Sequence, residues 1–349
     1  MKNAIYTYLP EMKKTFRCRV PMEGITQVFL VDGVLQEIPA NLPDGISLSS
    51  GVEGLGVEMR VAARTQESAP VQVISVRKEN FPQPLVFANR WVVEEGARAQ
   101  IVVCDHTLET YQYHTIRNTQ IIVEKDAALD ILFMQNEHKT SRYVLNIQAN
   151  LAENARLDCH LLSLYGGVIE NNLDVTMNHP LASCDLSGLY LADGTQQIDY
   201  KVNVIHQSGK CNSTQLFKGI LDNQSRASFH GLIKVAPDAQ QTVAYQANHN
   251  LMLTKEAKVV SQPQLEIYAD DVVCSHGSSI GMTDPLGLFY LRSRGIPLEE
   301  AQMLQQMAFV QDVLGKVKTQ AIRERLEKMV ESRLRGDFSR CSHCTMHCC

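Results

Sequence analysis

The sequence predicts a mainly β protein, wound as a solenoid and finished by α-helices. Three observations carry that expectation. From about Val86 to Leu265, short β-branched runs alternate with polar turns and no helix-length segment separates them, which argues against a doubly wound α/β fold. Within this stretch a loose unit recurs: a polar turn, a small residue, then an alternating strand, as in GARAQIVV from Gly96, DAALDILF from Asp126, NARLDCHL from Asn154 and LASCDLSG from Leu181. The small residues Ala97, Ala127, Ala155, Ala182 and Gly209 stand about 27–30 residues apart, with a shorter step to Ala227 before Ala257. A strand-based unit of that period marks a solenoid, because each coil buries its apolar face only on its neighbours. A β-sandwich is the rival architecture, and strand spacing alone does not separate the two.

Taken in order, the chain divides into an N-terminal α/β region (1–85), a β core (86–282), a helical region (283–340) and a Cys/His-rich tail (341–349). The first region is the least legible. Gly51, Gly54 and Gly56 fall in SSGVEGLGVEMR, but their spacing does not complete a G-x-G-x-x-G dinucleotide fingerprint. In the core, Ala128 to Phe133 alternates as a strand with one buried face. After Cys274-Ser275-His276, the glycine-containing run reads as a turn. Thr283 or Asp284 then caps a helix, Pro285 suits its first turn and Gly295 its stop.

A second helix starts at Pro297, with Glu299 and Glu300 near its positive end and an apolar stripe of Ala301, Leu304, Met307, Ala308 and Leu314. A third, beyond Gly315, carries Ile322, Leu326, Met329, Val330 and Leu334 on one face and Lys318, Arg325, Lys328 and Arg335 on the other. Together they read as an α-helical cap on the end of the rod, whose last coil otherwise exposes an unpaired edge.

Composition narrows the function classes. At 349 residues there is room for one large domain or two ordinary ones, and 44% hydrophobic with 20% charged residues describes a soluble globular protein. A net charge of −5 gives no broad basic surface for nucleic acid. MKNAIYTYLPEMKKTFRC lacks the apolar core of a secretory signal, and no run reaches the roughly 18–20 apolar residues of a membrane helix, so a cytoplasmic location is expected. Of ten cysteines, Cys18, Cys104, Cys159, Cys184 and Cys211 sit in apolar or strand-like contexts and read as reduced, buried, small hydrophobes.

Cys274 and the tail hold the other five. Leu265, Ile267, Val272 and Val273 form an apolar strand running into Cys274 and His276, which lie two apart and therefore on one face. A thiolate and an imidazole together hold zinc or iron, or contribute to an iron–sulfur cluster; the competing reading is a buried thiol and a hydrogen-bonded core histidine. Two ligands do not close a site, so the others come from elsewhere, with a second subunit the natural source. Asp270 and Asp271 are adjacent, point to opposite faces of a strand, and read as turn residues rather than an acid–base pair. In the tail, Cys341 and Cys344 with His347 or Cys348 have spacing for a tetrahedral zinc, or else make a flexible thiol-rich tether.

YADDVVCSHGSSIG followed by FYLRSRGI resembles the C-terminal signature of the SufB/SufD family of iron–sulfur cluster assembly proteins. Gly209 to Lys218 (GKCNSTQLFK) and Ser225 to Ile233 (SRASFHGLI) support the likeness, which runs weakly from about Tyr6 and strongly from Ser208 to Leu314. Where SufB-type members carry a cysteine in the helix after the motif, this chain has Leu291, so it resembles the SufD branch.

The resemblance implies a right-handed parallel β-helix acting as a scaffold, not an enzyme, in a complex with one SufB and two SufC subunits. It implies that Cys274 and His276 stand at the SufB–SufD interface beside the nascent cluster, His276 being the stronger ligand. The third helix, with Leu326, Met329 and Val330, is implied to dock SufC, through which alone ATP acts. A flavin in the assembled complex and a homodimer without SufB are further expectations that the resemblance allows; no role carries over to the tail.

Two other functions compete. A standalone metal- or cluster-binding scaffold would use Cys274, His276 and the tail without SufB. A β-helix polysaccharide-active enzyme would need clustered carboxylates on one face of the rod, whereas the charged residues here are dispersed.

Overall fold

A computed structural model describes residues 24–66, 69–107 and 111–336 of the chain. The first strands are β1 Thr26–Val31, β2 Val34–Leu35, β3 Ile46–Ser50, β4 Val57–Val61, β5 Val71–Arg77 and β6 Leu85–Val93. The middle of the rod is β7 Arg98–Thr107, β8 His114–Val123, β9 Ala128–Asn136, β10 Arg142–Leu151, β11 Arg156–Tyr165, β12 Val168–Met177 and β13 Ser183–Ala192. It ends with β14 Gln197–His206, β15 Asn212–Leu221, β16 Arg226–Val235, β17 Thr242–Met252, β18 Lys258–Ile267 and β19 Val272–Met282.

From β4 onward successive strands fall alternately into two sheets, in the orders β19-β17-β15-β13-β11-β9-β7-β5-β1-β2 and β18-β16-β14-β12-β10-β8-β6-β4-β3. Pairing is parallel except for β1 with β2 and β3 with β4. The result is a parallel β-solenoid of about eight turns. Parallel ladders exclude the sandwich, which is built from antiparallel sheets. Residues 24–85 add their strands to the same two sheets, β5 beside β7 and β4 beside β6.

Alternation makes the coils. Strands such as β12 and β14 bury every second side chain, and the inward ones stack coil on coil, Ile131 beside Cys159 beside Leu186. The expected repeat is visible at one corner, where Gly96, Asp126, Asn154, Leu181, Lys210 and Gln241 all have positive φ. A buried small residue follows in each of the first five coils: Ala97, Ala127, Ala155, Ala182, then Cys211. The expected position at Gly209 is therefore two residues early. The short step at Ala227 arises because Ala227 belongs to β16, in the other sheet.

Among the described residues three helices follow: α1 Pro285–Ser293, α2 Leu298–Leu314 and α3 Gln320–Leu334. The Asp284 carboxylate accepts from the Leu286 and Gly287 amides, Pro285 opens α1, and Gly295 leaves it with φ 85°. The expectation that α2 and α3 close the end of the rod is corrected: they lie along its flank. Outward side chains of the ten-stranded sheet, including Val102, Leu132, Met134, Leu162 and Leu189, form one apolar cluster with Val310, Val313, Ile322, Leu326, Met329 and Val330. Such a flank cannot face water, so it recruits the helices.

The α2 stripe is also shifted in phase. Ala301, Met303, Gln306, Val310, Val313 and Leu314 are buried, while Leu304 and Ala308 are exposed. Polar latches complete the contact. Lys218 Nζ donates to the Phe309 carbonyl at 2.9 Å and pairs with Asp312, and Arg333 donates to the Leu164 carbonyl at 2.9 Å.

Candidate functional site at the open end of the solenoid

With the helices on the flank, no strand or helix among the described residues stacks on the last coil. β19 ends one sheet and β18 the other, so each pairs along one edge only among the described residues. Register decides which side chains reach the lumen there. β17 buries Ala244, Gln246, Asn248 and Asn250. Parallel pairing sets Cys274 beside Ala244, His276 beside Gln246, Ser278 beside Asn248 and Ile280 beside Asn250. Cys274 and His276 thus continue inward rows on one face, as their spacing predicts. Facing them from β18, Ser261 accepts a hydrogen bond from Ser278 across the lumen at 2.8 Å.

No coil among the described residues covers this face, and neither residue is enclosed. Cys274 is half-buried, packed against a small cluster that includes Ile233 and Ala244, and His276 is exposed. Burial holds the Cys274 thiol above its ordinary pKa, so at neutral pH it keeps its proton. Among the described residues no three His, Cys, Asp or Glu side chains are grouped to hold a metal ion. A bound cluster would therefore need ligands from beyond this face of the chain.

Several expectations change here. The glycine-containing run after His276 is not a turn: β19 continues to Met282, because its backbone keeps pairing with β17 through Leu251 beside Gly281. Leu326, Met329 and Val330, expected to meet a partner, are 3%, 5% and 0% exposed and belong to the chain's own packing. Asp270 and Asp271 are exposed in the turn before β19, as expected. Cys104, Cys159, Cys184 and Cys211 are buried and form no disulfide, also as expected, whereas Cys18 lies outside the described residues. The tail site, Cys341, Cys344, His347 and Cys348, lies outside them too. The carboxylates that do stack in one row, Asp130, Asp158 and Asp185, are bound by Lys316 and Lys318 of the α2–α3 turn and make no open acidic face.

Sequence reasoning missed two features. Around the mouth, Val273, Ile280 and Met282 of β19 are exposed at 56%, 44% and 51%, and Leu286 and Phe289 of α1 at 77% and 73%. Large apolar side chains this exposed on a terminal strand and the helix after it are candidates for partner contact. Beneath the mouth, inward positions of the last coils carry buried amides at Gln215, Gln246, Asn248 and Asn250. An amide at an inward position of an alternating strand is the signal that could have found them.

Residues 81–309 match the family described as SUF system FeS cluster assembly, SufBD core domain. The chain is 33% identical over 242 residues to the iron–sulfur cluster assembly protein SufD of Escherichia coli, an alignment covering 69% of this chain and 57% of that protein. It is 32% identical over 243 residues to an iron–sulfur cluster assembly SufBD family protein of Mycobacterium leprae (67% and 61% covered). It is 30% identical over 254 residues to a chloroplastic protein of Arabidopsis thaliana (72% and 53% covered). The chain thus spans about three-fifths of the length of these relatives or less. No helix among the described residues is long and apolar enough to cross a membrane. With the core domain laid over most of the solenoid, the chain belongs to the SufB/SufD family of iron–sulfur cluster assembly proteins, in its SufD branch.

Proposed function

We propose that this chain is a scaffold subunit that joins a SufB-like partner at the open end of the solenoid and presents Cys274 and His276 to a nascent iron–sulfur cluster. The cluster is cargo, not a resident cofactor. One observation carries the reading: both side chains stand on the lumen side of a terminal strand whose outer edge is unpaired among the described residues. An unpaired edge offers a row of backbone donors and acceptors to a second strand, and exposed Ile280 and Met282 of β19 add apolar area to the contact. Thiol and imidazole then enter a seam shielded from water, where each binds iron.

In this reading the chain makes and breaks no bonds itself. It supplies ligands and geometry, and ATP acts through a SufC-like partner in the cytoplasm. That partner docks on a helical surface other than Leu326, Met329 and Val330; α1, with Leu286, Phe289 and Tyr290 exposed, is the apolar helix face available. The same open rim suits a second copy of this chain, which is the alternative when no SufB-like partner is present. The test is anaerobic reconstitution of the co-expressed complex with His276→Ala. Loss of cluster with the complex intact is expected, and a full cluster yield would remove His276 from the mechanism.

A further inference from the structure

Beneath His276 the inward row of the ten-stranded sheet changes character. It passes through Ile131, Cys159 and Leu186, then becomes Gln215, Gln246 and His276. Gln215 and Gln246 are 1% and 2% exposed. Gln246 Nε2 donates to Gln215 Oε1 at 2.8 Å, which leaves Gln215 Nε2 and Gln246 Oε1 buried without partners. A buried amide atom with no partner is costly, and the aliphatic side chains of the coils below avoid that cost. Space has also been made for this amide. A Cβ at Gly231 would stand 2.4 Å from Gln246 Nε2, so glycine there keeps the Gln246 head group in place.

An imidazole that binds metal through one ring nitrogen almost always gives its other N–H to an oxygen acceptor. We propose that Gln246, backed by Gln215, is the positioning residue for His276: Gln246 Oε1 accepts from Nδ1–H of His276 and leaves Nε2 bare toward the mouth. The two residues are register partners on adjacent parallel strands, which lie about 4.8 Å apart, so the exposed imidazole and the orphaned oxygen belong to neighbouring side chains of one inward row. This rests on the reading of His276 as an interface ligand and names the device that sets its tautomer.

The test is the ring-nitrogen 15N spectrum of the full chain, at one pH where the imidazole is neutral, in wild type, Gln246→Leu, Gln246→Met and Gln246→Glu. Wild type and Gln246→Glu, which both keep an oxygen acceptor, are expected to hold mostly the Nδ1–H form of His276. The two apolar variants are expected to shift several-fold toward Nε2–H. If Gln246→Leu does not fold, Gln246→Met gives the answer. One tautomer ratio in all folded variants overturns the proposal. That failure is distinct from failure of the ligand reading, which shows as full cluster yield with His276→Ala whatever the tautomer.

Discussion

Lys316 Nζ lies 2.6 Å from both carboxylate oxygens of Asp185, a residue 131 positions earlier in the chain. Lys318 repeats the contact one coil down, 2.5 Å from Asp158 and 3.4 Å from Asp130. The turn between α2 and α3 thereby ties the helices to a row of three stacked carboxylates. Burial alone would raise Asp158, but hydrogen bonds from Lys318 and Arg156 outweigh it and hold that carboxyl below its ordinary pKa. Replacing Lys318 with Ala is expected to lower stability by about 1–2 kcal/mol, read from the midpoint of a urea titration. An unchanged midpoint would mean the latch contributes nothing beyond its apolar surroundings.

Glu137 is 2% exposed, and burial pushes its carboxyl from 4.5 up to about 8. The folded chain therefore holds a proton that the unfolded chain releases above pH 4.5. Stability from this group is full below pH 4.5 and is lost as pH rises toward 8. Glu137→Gln removes that loss. The variant should gain on wild type by roughly 1.4 kcal/mol per pH unit across this window and level off above it. Melting curves at several pH values check this, and parallel wild-type and variant profiles would contradict it.

Buried and exposed apolar residues of the helical region should behave in opposite ways. Leu326→Ala is expected to cost about 2–4 kcal/mol of stability, because Leu326 is 3% exposed in the flank cluster. Phe289→Ser, at a site 73% exposed, should change stability by less than about 0.5 kcal/mol yet weaken binding of a SufC-like ATPase. Calorimetric titration of that partner separates them. Wild-type affinity in Phe289→Ser would place the docking face away from α1.

The coils were legible because a solenoid repeats one local rule, alternation followed by a small corner residue, and Ala97, Ala127, Ala155 and Ala182 carry it in the sequence. Cys274 and His276 were legible for the same reason, since spacing of two fixes their shared face. The helices were found but misplaced. Nothing local in the third helix says whether Leu326 meets a rod end, a flank or a partner, and only the apolar outer face of the ten-stranded sheet decides it. The turn expected after His276 failed because glycine marks turns only where pairing does not impose an extended backbone, and β17 imposes it. The amides under the mouth were legible as inward positions of alternating strands, and setting residues about 30 positions apart in register stacks Gln215 on Gln246.

Backbone amide exchange along Val272–Met282 reads the free edge of β19 directly, in the chain alone and after mixing with a SufB-like partner. Pairing with a second polypeptide predicts rapid exchange at alternate, outward-edge amides in the free chain and strong protection of the same amides in the mixture. Equal exchange rates in the two samples, with the complex formed, would contradict a seam at Cys274 and His276.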